Sequence, residues 1–347
     1  MRHWLDLRAG SRVLTSTSNV KLKLMIKNIV ESYLKANQTE DNLAFVISSP
    51  RSGSTWLERS LNAHPEIYAT ENRLFGQFCE NWPDDEFTKS PRITLDAYVR
   101  AWFKVIDRSN LRGSTEANED QAFISFAKHV HRLERRMSGK KFIIDKITPY
   151  LGTSDEVLRL IKKFFPNAKL IHLHRDGRDV CTSGVFDWIR KIDAGTNRYK
   201  KYALGEDVTC ERFFTDDDLE TWSRYWIEPI QAWENTGIRP DCSISYEAMK
   251  LNYESVLSSV FSVLKLKNTN TIRAACIHAG SFKKMSGGRV AGDEVATSKA
   301  RKGVSGDWKN YFTKKDGLIF EQLSKGLLKE YKYEESEEWA SLLHDTL

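Results

Sequence analysis

The run Leu43-Ala44-Phe45-Val46-Ile47 breaks at Pro50 and Gly53, and a helical pattern resumes at Ser54. β-forming residues, a Pro/Gly break and a helix start make a strand, a tight loop and a helix N-terminus. Such a junction aims backbone N–H groups and the positive end of a helix dipole at one spot, which suits a phosphate or sulfate. Arg51 adds a planar charged fork, and Ser52, Ser54 and Thr55 add hydroxyl donors. The loop is not the common triphosphate loop, which needs GxxxxGK followed by Ser or Thr. Its first Gly is missing and Ser54 stands where the Lys belongs. Taken alone, the loop also reads as an ordinary strand-to-helix turn.

Two further segments shift that balance. Residues 169–184 read KLIHLHRDGRDVCTSG: a second β-like run breaks at Arg175-Asp176-Gly177, and a helix follows with Ser183 eight residues after Arg175. Residues 301–312 read RKGVSGDWKNYF, where Arg301, Lys302 and Gly303 form a basic loop with backbone donors. Basic residues, glycine amides and hydroxyls thus recur at three separated sites, two of them after predicted strands. One ligand with several anionic groups explains all three.

With these segments the chain resembles the sulfotransferases that use 3′-phosphoadenylyl sulfate (PAPS) as donor. In that family a PRSGSTW-like loop binds the phosphosulfate end, an Arg with a Ser eight residues on binds the 3′-phosphate, and an RKGxxGDWKN segment closes over that phosphate. All three occur here in family order, at 50–56, 175–183 and 301–310. The resemblance covers residues 43–315 and implies a P-loop nucleotide hydrolase-like sulfotransferase fold. It also implies PAPS as donor co-substrate, 3′,5′-adenosine bisphosphate (PAP) as product and no required metal. Residues 1–40 then form an N-terminal extension, helical in expectation, and 41–347 a single sulfotransferase domain.

Composition agrees with a soluble protein of this kind. The chain has 347 residues, 40% hydrophobic and 29% charged, enough for a sizeable core. Its net charge of +6 favours anionic ligands without singling out nucleic acid, and no nucleic-acid partner is expected. Trp56, Trp102, Trp188, Trp222, Trp226 and Trp308 read as core or pocket residues rather than a stacking platform. Five scattered cysteines without a CxxC pair suit buried thiols in a reducing, cytoplasmic setting. No apolar stretch is long enough to span a membrane. Segment 20–35 reads as an amphipathic helix that packs on the domain, with membrane-surface or partner contact as the alternative.

The coarse pattern predicts an α/β fold with a mostly parallel central sheet flanked by helices. Strands are expected at 43–48, 141–145, 169–174 and 241–245. Helices are expected at 54–63, 93–108, 154–165, 177–190, 216–235, 253–264 and 318–330. The polar stretches 191–218 and 283–303 read as loops or lids. Ligands in such sheets bind beyond the carboxyl ends of the strands, where segments 49–56, 145–149 and 175–183 begin.

The resemblance assigns donor contacts to Arg51, Ser52, Gly53, Ser54, Thr55, Trp56, Arg175, Ser183, Tyr246, Arg301, Lys302 and Gly303. Trp56 and Tyr246 face the adenine, although Ala248 replaces the acidic residue of the family's Tyr-Glu-Asp-like segment. Asp176 suits the N-cap of the helix after Arg175, and Arg178 suits a pair with Asp176 or Asp179. The general base departs from the pattern of cytosolic members, which place a His where Thr148 stands. Another branch, including tyrosylprotein sulfotransferases, uses a Glu about 20 residues after the loop Arg, and Glu71 stands there. The expected catalytic set is therefore Arg51, Glu71 and Lys146, with Glu71 as base, His64 as its rival, and Arg51 and Lys146 steadying the leaving phosphate.

The acceptor is expected to be a small molecule with a hydroxyl or amine. A peptide tyrosine or a carbohydrate is the alternative within the family, and Phe75, Phe78, Trp82, Trp102 and Phe103 are candidates for its pocket. Outside the family, a kinase with an atypical phosphate loop would use Asp145 as a Mg²⁺-binding acid, and a non-catalytic nucleotide-binding protein is the remaining possibility.

Overall fold

β1 (Leu43–Ser48) is the central strand of a five-stranded sheet in a computed structural model that describes residues 42–71, 74–75, 115–191, 212–296 and 298–347. All six of its residues are buried, as a strand covered on both faces requires, so its sequence is a continuous apolar run rather than an alternating one. β2 (Ile67–Thr70), β3 (Phe142–Ile147), β4 (Lys169–His174) and β5 (Cys242–Ser245) complete the sheet in the order β2-β3-β1-β4-β5. Every pairing is parallel, with Val46 opposite Lys146 on one side and Ile171 on the other.

Helices connect these strands and cover both faces. They are α1 (Ser54–Leu61), α2 (Thr115–Ser138), α3 (Ser154–Phe164), α4 (Gly177–Lys191), α5 (Asp216–Thr236), α6 (Tyr246–Leu251), α7 (Tyr253–Val263) and α8 (Asn270–Ala279). After β5 come also the short α9 (Phe282–Met285), a 3₁₀ turn at Asp307–Asn310, α10 (Lys314–Ser324), α11 (Leu327–Glu330) and a 3₁₀ segment at Glu337–Leu342. Alternate residues of the sheet point to opposite faces. Phe45 and Ile143 pack with Val157, Ile161 and Trp233 on one side, while Val46, Ile144 and Leu173 pack with Leu57, Leu61 and Leu257 on the other. A third apolar cluster, with Val185, Trp226, Trp308, Phe320 and Trp339, joins α4 and α5 to the C-terminal segment.

The expected strands 43–48 and 169–174 match residue for residue, and 141–145 and 241–245 match within two residues. β2, α2, α6, α8 and α9 are additions, the last at the start of the stretch 283–303 expected to be loop. β2 is only four residues long, and α8 buries Cys276 alone, so neither carries a strong period. The expected helix 318–330 starts earlier and divides. A capping box between Thr313 and Asp316 starts α10, and left-handed Lys325 (φ 49°) and Gly326 (φ 81°) separate it from α11. The expected N-terminal helical extension, the helix at 93–108 and residues 192–211 lie outside the described residues. No helix among the described residues is long and apolar enough to cross a membrane.

On the α5 side of β4, His172 and His174 sit with ring centroids 5.2 Å apart, packed by Trp233 and Tyr331. One ring nitrogen of His174 is 2.7 Å from the Tyr333 hydroxyl. Burial, with the neighbouring His174 adding to it, pushes His172 down to about 3, and burial pushes His174 down to about 4. Both lie below the ordinary 6.5, so on acidification the unfolded chain takes up these protons first. Their contribution to stability is complete above pH 6.5 and is lost as pH falls towards the folded values. Burial raises the neighbouring Asp176 and Glu247, which act in the opposite sense. Denaturant midpoints measured from pH 6.5 down to 5 should therefore fall more steeply for the wild type than for His172→Asn. Equal slopes would mean that the histidines do not carry the acid sensitivity.

Candidate functional site

The loop between β1 and α1 turns through two left-handed residues, Arg51 (φ 65°) and Gly53 (φ 89°). Gly53 is required there twice over. A side chain would be strained at that φ, and a Cβ would lie 2.6 Å from the Tyr246 ring. The Gly53 carbonyl accepts from Trp56 N and Leu57 N, which starts α1 and leaves the N–H groups before them directed out of the helix end. The Ser52 hydroxyl is buried and has no hydrogen-bond partner among the described residues.

Because β4 lies beside β1, the loop that follows β4 falls next to this turn. Arg175 donates to the Arg51 carbonyl and to the Val304 carbonyl, each at 3.1 Å, and pairs with Asp179 at 3.2 Å. Its guanidinium lies 4.2 Å from the centre of the Tyr246 ring. Burial works against its charge, but Asp179, Tyr246 and Glu247 more than offset this and raise the arginine above its ordinary value. Arg51 extends across the turn towards α4, donating to Ser183 Oγ at 3.1 Å and pairing with Asp187 at 3.1 Å. Asp176 caps α4 by accepting from Arg178 N at 2.9 Å. Arg178 is structural: it pairs with Asp176 and Glu334 and lies between the Trp308 and Trp339 rings.

Segment 301–304 closes the opposite wall. Gly303 (φ 69°) leaves room for Phe282, whose ring a Cβ would meet at 2.3 Å, and its carbonyl accepts from Lys250 Nζ at 2.8 Å. The cavity between these segments measures about 190 Å³. Every residue that the sequence assigns to donor binding lines it except Ser52. Trp56 and Tyr246 meet edge to face at 5.4 Å, and Trp56 also packs on Tyr253 at 4.8 Å. Phe282 and Met285, at the edge of the polar stretch 283–303, add apolar surface that the sequence did not assign to the site.

Lys146 and Glu71 form a second cluster beside this cavity. Lys146 Nζ is 2.8 Å from Glu71, 3.1 Å from Glu58 and 3.5 Å from Thr55 Oγ1. Glu58 was not anticipated, although it follows Thr55 by three residues and so shares a face of α1 with it. His64 is fully buried, with Nδ1 accepting from Glu66 N and Nε2 2.9 Å from the Lys267 carbonyl, so it is held as a structural residue. Asp145 points to the other face of β3 from Lys146, fully buried and 3.7 Å from His131. That geometry does not fit the Mg²⁺-binding acid of the kinase alternative. Phe75 belongs to the core, while Arg73, Phe78, Trp82, Trp102 and Phe103 lie outside the described residues.

Asp179 is a further residue whose role the sequence did not reveal. It is buried and accepts from Gly306 N at 2.8 Å and Trp308 N at 3.0 Å, besides pairing with Arg175. It thereby holds segment 303–308 against α4. Removing one partner of a buried ion pair costs on the order of 3–5 kcal/mol. Asp179→Ala should accordingly lower the thermal midpoint. An unchanged midpoint would show that the clasp is not structural.

Comparison with known proteins comes to the same place as these motifs. The sulfotransferase family profile matches residues 44–270. Sulfotransferase 1B1 of Mus musculus is 25% identical over 281 residues, covering 74% of this chain and 86% of that protein. Sulfotransferase 1B1 of Canis lupus familiaris is 26% identical over 203 residues, covering 55% and 65%. Sulfotransferase 2A6 of Mus musculus is 31% identical over 191 residues, covering 51% and 62%. The chain thus spans just under two thirds of the canine protein's length. Among solved structures, mouse sulfotransferase SULT7A1 complexed with PAP aligns with a TM-score of 0.46 at 20% identity, over 84% of this chain and 89% of that one. The sulfotransferase domain from the Synechococcus PCC 7002 olefin synthase aligns with a TM-score of 0.47 at 18% identity, over 82% and 94%.

Proposed function

The chain belongs to the sulfotransferase family, and from that premise we propose that it moves a sulfuryl group from PAPS to a hydroxyl or amine of a small-molecule acceptor, releasing PAP. The observation that carries this reading is the cavity in which Arg51, Gly53 to Trp56, Arg175, Ser183 and Arg301 to Gly303 meet, with Trp56, Tyr246 and Phe282 in its lining. Hydroxyls and backbone donors suit the phosphates, and Trp56, Tyr246 and Phe282 suit a flat base. We read residues 41–347 as the catalytic domain and 1–40 as an extension. Cys181, Cys242 and Cys276 are free thiols, which supports a reducing, cytoplasmic setting.

In the mechanism, the acceptor oxygen or nitrogen forms a bond to sulfur as the bond from sulfur to the bridging oxygen of the donor breaks. Glu71 takes the acceptor's proton. Arg51, Lys146 and the amides at the start of α1 steady the charge that passes to the leaving phosphate, by the same positioning that serves phosphoryl transfer. Lys146 touches both Glu71 and Thr55. One ammonium group therefore joins the residue assigned to the acceptor's proton to the loop assigned to the donor.

Isothermal titration with PAP, beside ATP with Mg²⁺, tests the donor reading. Micromolar metal-free binding of the bisphosphate, with ATP much weaker, is the expected result; a preference for Mg-ATP would overturn it. Arg175→Ala should weaken bisphosphate binding, and Arg51→Ala should abolish transfer.

Glu71→Gln isolates the base. General-base catalysis contributes about 10²–10⁴-fold, so turnover should fall by that order while bisphosphate affinity stays within about twofold of wild type. Retained turnover would remove Glu71 from the role.

A further inference from the structure

Arg301 and Lys302 line the donor cavity, but their charged heads are held by carboxylates. Glu294 pairs with Arg301 through one oxygen and lies 3.4 Å from Lys302 Nζ through the other. Asp307 pairs with both cations from the other side, 2.7 Å from Lys302. Two cations are thus shared by two anions, and Glu294 spans Arg301 and Lys302 with two oxygens much as a phosphate would.

The position of Glu294 is built rather than incidental. Gly292 N donates to the Lys302 carbonyl at 2.9 Å and Val295 N to the Arg301 carbonyl at 3.1 Å, so Glu294 lies between two backbone bonds to the segment it pairs with. Arg289 braces the same loop, donating to the carbonyls of Asp293, Ala300 and Arg301 and to Ser298 Oγ. The two carboxylates differ in freedom. Asp307 is 3% exposed and also accepts from Asn310, whereas Glu294 is 30% exposed on a longer side chain.

We propose that Glu294 is an internal competitor for the 3′-phosphate of the donor: a displaceable carboxylate that occupies Arg301 and Lys302 and so sets donor and product affinity. The inference rests on the donor reading given above. A phosphate carries more charge and more acceptor oxygens than a carboxylate and can displace Glu294, while buried Asp307 stays to hold the two cations in place. Occupied in this way, the site keeps its cations neutralised between ligands and releases its product more readily.

The test is titration of wild type, Glu294→Gln and Asp293→Asn with PAP at low and high salt. Asp293 lies one residue away, and its carboxylate accepts from Val290 N, so it controls for the loss of a nearby negative charge. A half-exposed ion pair contributes up to about 1 kcal/mol, so Glu294→Gln should bind about three- to fivefold more tightly. Asp293→Asn should stay near wild type, and the gain in Glu294→Gln should shrink at high salt. Equal affinity of Glu294→Gln and wild type would overturn the inference alone. Equal tightening by both variants would overturn it too, because the effect would then be long-range. No binding by any of the three proteins would overturn the donor reading itself and the inference with it.

Discussion

The Arg175 guanidinium is where three distant parts of the chain become one site. It reaches the Arg51 carbonyl in the loop after β1, the Val304 carbonyl in the C-terminal segment and the Asp179 carboxylate on α4. A buried cation in that position is stable only with a paired anion, and Asp179 supplies it. Because Asp179 also accepts from the amides of Gly306 and Trp308, the same carboxylate that satisfies Arg175 fixes segment 303–308. The parallel pairing of β1 with β4 precedes all of this, since it sets the two loops side by side. The cavity is thus a consequence of sheet order first and of one buried ion pair second.

This dependence explains what could be read from sequence. β1, β3 and β4 are long apolar runs buried on both faces, and runs of that kind identify themselves. β2 is four residues with two half-buried, and it pairs only at an edge, so tertiary context rather than pattern makes it a strand. Helix α2 is 24 residues rich in charge and poor in apolar residues, which hides its amphipathic face in the sequence. At the site, the segments that line the cavity were legible because a strand-loop-helix junction needs particular residues for backbone reasons, as Gly53 and Gly303 do. Asp179, Glu294 and Glu58 were not. Asp179 and Glu58 meet partners far away in the chain and Glu294 meets cations seven and eight residues on, and a carboxylate in a sequence gives no sign of which cation it will meet.

The two histidines of β4 make the same point from the core. Burial beside Trp233 and Tyr331, with His174 adding to it at His172, holds both imidazoles in their neutral forms. Arg178, four residues on from His174, is the contrary case of a buried charge that stays ionised. Asp176 and Glu334 raise it above its ordinary value against the effect of burial, and two indole faces cover it. Polar groups are therefore buried behind the cavity in two ways, by neutralising the group and by pairing it.

Pairing is also the rule within the site. Arg51 has Asp187, Arg175 has Asp179, Arg301 and Lys302 share Glu294 and Asp307, and Lys146 has Glu58 and Glu71. Cations gathered in a cavity lined partly by aromatic rings would otherwise repel one another and resist desolvation. Since each is already compensated, an anionic ligand gains only the difference between its own contacts and those it replaces. Net positive charge in the site is then a poor guide to affinity. The contacts that are not exchanged for an existing one matter more, namely the amides at the head of α1 and the ring faces of Trp56, Tyr246 and Phe282. A site arranged in this way discriminates by geometry, because a ligand that cannot reach the loop amides and the aromatic end together has little to offset the ion pairs it must open.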